Sequence, residues 1–119
     1  MNRSEDQLQA TIAIWLDIQQ KMGWLLWYAI PNTARRSPRE GARFKRMGVK
    51  AGVSDIAIVF PNGRAAFIEL KSDKGKLSQS QKDFLQLATK LNAHTAVCRS
   101  LDEVCKCVMD WRDEMRRAA

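Results

Sequence analysis

The chain has 119 residues, 45% of them hydrophobic, and its 20 Lys and Arg outnumber 13 Asp and Glu to leave a net charge of +7. That length and apolar content suit one domain over 1–119 with its own core and argue against disorder. The basic balance favours a polyanionic partner, nucleic acid or an acidic membrane surface. No apolar run reaches transmembrane length and Met1 to Gln7 has no signal-peptide core, so a cytoplasmic protein without a membrane span is expected.

Ser4-Glu5-Asp6-Gln7 has the pattern of a capping box. Leu8, Ile12, Trp15 and Leu16 then repeat at helical spacing to about Met22, with Gly23 as the stop. Glu5 lies three before Leu8 and seven before Ile12, so it shares their inward face. Trp24 to Ile30 reads as a strand ended by Pro31. Asn32 to Lys50 is polar and basic, a loop followed by a short helix through Arg39 to Met47. Ser54 to Phe60 and Ala65 to Lys71 form a hairpin across Pro61-Asn62-Gly63, and a charged loop runs on to Leu77. Ser78 and Gln81 fit a second capping box, opening a helix with Phe84, Leu85, Ala88 and Leu91 inward. Ala93 to Arg99 is the last strand. Ser100 and Glu103 begin the last helix, which carries Leu101, Val104, Val108, Trp111 and Met115 along one stripe.

The order αβ(α)ββαβα describes an α/β protein with a single mixed β-sheet flanked by helices. The helix between the last two strands implies a parallel, right-handed crossover. Cys98, Cys105 and Cys107, with His94 nearby, match no common zinc spacing and are expected as buried or half-buried thiols.

The hairpin carries two carboxylates and an amine where apolar residues belong. A two-residue turn at Asn62-Gly63 would set Asp55 opposite Leu70, whereas a three-residue loop, Pro61-Asn62-Gly63, sets Asp55 opposite Glu69. Pro61 suits the first, right-handed position of the longer loop and Gly63 its left-handed third, which favours that register. Asp55, Glu69 and, by period two, Lys71 then share a face, with Leu70 pointing away. Facing carboxylates repel unless a cation or proton lies between them, and Mg²⁺ is a hard ion that takes oxygen ligands. The Leu70 carbonyl would add a third oxygen and Glu5 a further carboxylate, directly or through water. A bound metal activates a coordinated water, and Lys71 would orient it and offset charge on a phosphate. An isolated Glu-x-Lys in a strand is usually a surface ion pair. The upstream Asp, the inward Glu5 and the basic chain favour the catalytic reading here.

Asp55 followed by Glu69-Leu70-Lys71 resembles the PD-(D/E)XK nuclease core, whose αβββαβ order matches. More narrowly, Glu5, "IPN" at Ile30 to Asn32, "GVKAGVSDIAIV", "FIELK" and Gln81 together resemble the VRR-NUC (virus-type replication-repair nuclease) domain over nearly the whole chain. The resemblance implies a restriction-endonuclease-like fold and a Mg²⁺- or Mn²⁺-dependent DNA endonuclease. Asp55 and Glu69 would bind metal, Lys71 would serve catalysis, and Glu5 and Gln81 would complete the site. Ser54 departs from the pattern, which usually has proline before the aspartate. Gln81 has two readings of equal weight, a cap reaching back to Ser78 or a side chain serving the site. Asn32 is ordinary turn chemistry by itself, and only the resemblance makes it a site- or phosphate-facing candidate.

Arg35, Arg36, Arg39, Arg43, Lys45, Arg46 and Lys50 cluster against a single Glu40, directly before the strand that carries Asp55. Such residues contact the DNA backbone and supply affinity without base identity. Lys74 and Lys76 flank Gly75 beside Lys71 and would clamp the same backbone. Resolving a four-way junction needs two matched cuts, so a symmetric homodimer acting on branched DNA is expected. Stand-alone domains of the resembled family point the same way, and to a bacterial or phage-encoded protein. Two rival readings keep the fold. One is a nucleic-acid-binding module without chemistry, and the other a restriction-type endonuclease that reads a short sequence.

Overall fold

A computed structural model describes residues 3–31 and 37–118. Helix α1 (Arg3–Lys21) leads to strand β1 (Leu26–Ala29), a basic helix α2 (Pro38–Arg46) and the hairpin of β2 (Ile56–Val59) and β3 (Ala65–Leu70). Helix α3 (Gln79–Lys90), strand β4 (His94–Cys98) and helix α4 (Leu101–Ala118) follow. The four strands form one mixed sheet in the order β1-β2-β3-β4. β1 and β2 pair antiparallel, as do β2 and β3, whereas β3 and β4, joined through α3, run parallel.

Alternation along the hairpin sorts the two faces. Ile56, Ile58 and Phe60 on one strand, with Ala66, Ile68 and Leu70 on the other, join Ile12 and Leu16 of α1 and Val104 and Val108 of α4 in one buried cluster. Each fully buried Ile or Leu there contributes about 1.5–3 kcal/mol. The alternate residues, Phe67 and Glu69 among them, face the other way. There α3 packs through Phe84, whose ring meets that of Phe67 edge-on at 5.1 Å.

The turn between β2 and β3 is the three-residue loop favoured by its sequence. The Phe60 N–H donates to Arg64 O at 2.8 Å, and the ladder pairs Ile56 with Ile68. Asn62 (φ 70°) as well as Gly63 (φ 76°) is left-handed, so the loop has two left-handed positions where one was expected. Asparagine tolerates that region through its short polar side chain.

Three expectations are corrected. Ser4 does not precede the first helix, which already includes Arg3. Trp24 lies before the first strand: its indole N–H donates to Gln19 Oε1 and its ring stacks on Phe60 at 6.0 Å. Leu91 is 71% exposed rather than inward, because α3 ends at Lys90 and Leu91 forms the C-cap as the chain turns through left-handed Asn92 (φ 75°). Cys98 is buried, and Cys105 and Cys107 are half-buried free thiols, as expected. No helix among the described residues is long and apolar enough to cross a membrane.

Candidate functional site

The hairpin register places Asp55 across from Glu69, one step beyond the Ile56–Ile68 pair. Both are withdrawn from water, Asp55 at 6% exposure and Glu69 at 1%. Backbone groups hold the aspartate: the Leu70 N–H donates to Asp55 Oδ2 at 2.8 Å, and the Ile30 N–H donates to Asp55 O at 2.8 Å. The carboxyl of Glu69 is pushed up to about 9, first by burial, then by its hydrogen bond to Asp55 and that neighbour's charge. Lys71 pulls in the opposite direction and Glu5 adds a small further push. Among the described residues Glu69 Oε1 is buried without a hydrogen-bond partner. Orphaned buried oxygens are rare and call for a partner.

These features fit a divalent cation. Two adjacent buried carboxyl groups, held together without metal by a proton and one of them with an unmet acceptor oxygen, offer the hard oxygen donors that Mg²⁺ or Mn²⁺ prefers once that proton is displaced. The fit is to a pair. Among the described residues no three His, Cys, Asp or Glu side chains come together as a ligand cluster.

Glu5 has another contact. Its Oε1 accepts the Ser72 N–H at 3.1 Å, which ties the first turns of α1 to the residue after Lys71. Lys71 follows the last residue of β3, and its own N–H donates to Cys98 O at 3.1 Å, carrying the parallel pairing one step further. Its half-buried side chain runs beneath the loop that follows: a Cβ on Gly75 would come within 3.3 Å of Lys71 Cδ.

Gln81 realises the capping reading. Its Oε1 accepts the Ser78 N–H at 2.8 Å, while its own N–H donates to Ser78 Oγ at 3.2 Å. The segment leading to Asp55 lies directly on this helix start. Gly52 has φ +82°, and a Cβ there would fall 2.3 Å from the Ser80 carbonyl oxygen. Only glycine permits both the conformation and the approach.

Helix α2 displays the basic residues. Ser37 Oγ accepts the Glu40 N–H at 3.2 Å and Pro38 occupies the first turn, so local capping defines the helix start. The helix has no buried residue, and Arg39, Arg43, Lys45 and Arg46 are all exposed. Lys50, Lys74 and Lys76 are exposed as well. Asn32, Arg35 and Arg36 lie outside the described residues.

One residue of this region escapes sequence reasoning. Arg99 Nη1–H donates to Ser72 O and to Gly75 O (2.9 Å), with Asp73 O at 3.5 Å. Nothing in the local sequence marks Arg99, which sits between a strand and a helix cap. The parallel pairing of β3 with β4 brings it beside Ser72.

Known proteins share this architecture. The family model described as the VRR-NUC domain matches residues 3–102. A solved structure described as a VRR_NUC domain protein is similar at a TM-score of 0.71 with 25% identity, covering 92% of this chain and 88% of its own. A second, described as a VRR_NUC domain, has the same fold at a TM-score of 0.61 with 17% identity, covering 91% of this chain and 97% of its own. No curated protein matches. The match over residues 3–102 takes in the Asp55–Glu69 pair, Lys71 and the parallel strand beside them, and the chain belongs to the VRR-NUC family of nuclease domains.

Proposed function

We propose that the protein is a divalent-metal-dependent DNA endonuclease that hydrolyses phosphodiester bonds in branched DNA, four-way junctions above all, and works as a homodimer. The observation that carries the proposal is the buried Asp55–Glu69 pair with its orphaned Glu69 oxygen, beside Lys71, in a chain of a nuclease family. Asp55, Glu69 and the Leu70 carbonyl would hold Mg²⁺ or Mn²⁺. When bound, such an ion lowers the pKa of a coordinated water and neutralises charge on a phosphate oxygen.

The chain's own groups supply the rest. The Leu70 and Ile30 amides fix Asp55, so its carboxylate has little freedom to turn away. Lys71 presents an ammonium that orients the attacking water and offsets the negative charge that builds as the water oxygen bonds to phosphorus and the P–O bond to the sugar breaks. Glu5, already holding Ser72, acts on the site through water. Gln81 serves by fixing the start of α3 against the Gly52 segment. Arg39, Arg43, Lys45, Arg46 and Lys50, together with Lys74 and Lys76, contact the phosphate backbone, and Asn32, Arg35 and Arg36 extend that set.

The dimer reading rests on the need for two matched cuts and on an apolar stripe along α1. Ile14, Ile18 and Met22, four residues apart, are exposed by 66%, 51% and 68%. Trp15 and Trp111 pack against the core, which leaves this stripe as the apolar surface of the first helix.

A panel of four-way junction, flap, linear duplex and single-stranded DNA, incubated with Mg²⁺, Mn²⁺ or a chelator, tests the proposal. Paired symmetric cuts in the junction with either metal, and none with the chelator or with Asp55→Asn, are expected. Binding without cleavage in any metal would make the protein a binding module. Cuts at fixed sequences in linear duplex would make it a sequence-reading endonuclease.

A further inference from the structure

Ser72, the residue after Lys71, has both its backbone N–H and its carbonyl held by groups from distant parts of the chain. Its N–H donates to Glu5 Oε1 of α1, and its carbonyl accepts from Arg99 Nη1 at the end of β4. The same guanidinium nitrogen reaches Gly75 O at 2.9 Å, and the Gly75 N–H closes the turn onto Ser72 O at 3.0 Å. The Arg99 backbone is fixed in turn, since its N–H donates to Glu103 Oε1 at 2.8 Å, and the Glu103 N–H donates to Ser100 Oγ at 3.1 Å. The carbonyls that flank the exposed Asp73 and Lys74 are thus gathered onto one half-buried cation. The Lys71 side chain lies beneath that loop, close enough to Gly75 that an added methyl would crowd it.

We propose that Arg99 is a positioning residue for cleavage: by strapping the 72–75 loop down over Lys71 it sets where the ammonium stands and aims Lys74 and Lys76. The inference rests on the nuclease reading above. Arg99 donates to backbone carbonyls of the loop against which the Lys71 side chain lies, so its effect on chemistry runs through Lys71. Charged donors make the stronger hydrogen bonds, and the carbonyls are met by the terminal Nη1, one atom beyond where a lysine ammonium would end, so a lysine here cannot reach them in the same way. Loosening this strap lets the ammonium wander, and a displacement of about 1 Å in a catalytic group can cost about a hundredfold in rate.

The test is steady-state cleavage of a DNA junction in Mg²⁺ by wild type, Arg99→Ala and Arg99→Lys, with thermal unfolding and amide hydrogen exchange on the same samples. Arg99→Ala should lose about 10- to 100-fold in kcat with KM changed by less than about twofold. Exchange should speed up at residues 72–76 and stay unchanged in Ile56 to Val59. Sub-denaturing guanidinium chloride should restore part of the lost kcat, and the same concentration of NaCl should not. Arg99→Lys keeps the charge and carries the test if the alanine variant fails to fold; it should retain DNA binding and still show the kcat loss. Unchanged kcat in either folded variant overturns the proposal. So does a loss confined to KM, which would make Arg99 a phosphate contact, and so does failure of both variants to fold. Absence of cleavage by wild type on every DNA and metal defeats the nuclease reading instead, and hydrogen exchange of the loop then still decides whether Arg99 straps it.

Discussion

Glu69 is a buried carboxyl beside a second one, and its behaviour with pH follows from its surroundings. Its carboxyl is raised from 4.5 to about 9, so without metal the folded protein holds a proton that the unfolded chain has released. The stability this gives is fully present below pH 4.5 and is lost as pH rises through about 9. Chelated wild type should therefore unfold at progressively lower temperature as pH rises from about 6.5 into the alkaline range, while Glu69→Gln should lose that decline and cleave nothing. His94 has the opposite sign. Burial, with Arg64 near it, lowers its imidazole below 6.5, and its ring lies 5.1 Å from Trp111 in a near-parallel stack. Stability from neutral His94 is present above pH 6.5 and falls away as pH drops through its folded value. His94→Phe keeps an aromatic ring in place and should remove that acid-side loss in thermal melts. Lys71→Ala should lower kcat by about 10²–10³-fold, as loss of a charge-stabilising donor does, while metal binding measured by calorimetry persists.

At the scale of elements, legibility divided by range. The left-handed Asn62 was not legible, but the hairpin register could be read from Pro61 and Gly63, because a right-handed first position and a left-handed third favour the three-residue loop over the two-residue turn. The second capping box was legible for the same reason, since Ser78 and Gln81 satisfy each other within one turn. The choice between cap and site at Gln81 was not legible, because both uses ask for the same residue on the same face. Leu91 continued an inward spacing past the point where the helix stops, and spacing alone does not see the stop. The Glu5–Ser72 and Arg99–Ser72 contacts depend on where α1 and β4 come to rest against β3, which no local pattern encodes. Gly52 belongs with these: its need for glycine arises from the backbone of α3. Gly52→Ala should destabilise the fold by at least about 1–3 kcal/mol, through both its left-handed backbone and the clash with Ser80. Denaturant unfolding measures this, and cleavage should fall with it, because the displaced segment leads into Asp55. Helix α2, which has no buried residue, should act otherwise. Changing Arg39 and Arg43 to Gln should leave the unfolding midpoint where it is and weaken DNA binding. The slope of log affinity against log salt should also become shallower, by about 0.9 for each phosphate that is no longer neutralised.

For the whole molecule, a net charge of +7 on 119 residues favours DNA without regard to its sequence, and in the function proposed above selectivity comes from shape. A two-fold dimer would supply that shape by fixing the distance between two cutting sites. Light scattering should give twice the monomer mass. Ile14→Asp with Ile18→Asp should return the monomer with its fold intact, and junctions should then be nicked on one strand rather than cut in pairs. Ser72 has a different consequence at this scale. Its two anchors are residues 5 and 99, so the loop over Lys71 cannot be tied down until residue 99 has emerged during synthesis. Under the nuclease reading proposed above, a growing polypeptide that exposes Asp55, Glu69 and Lys71 to nucleic acids would carry these groups unassembled, and would arm itself only when the segment bearing Arg99 reaches the fold.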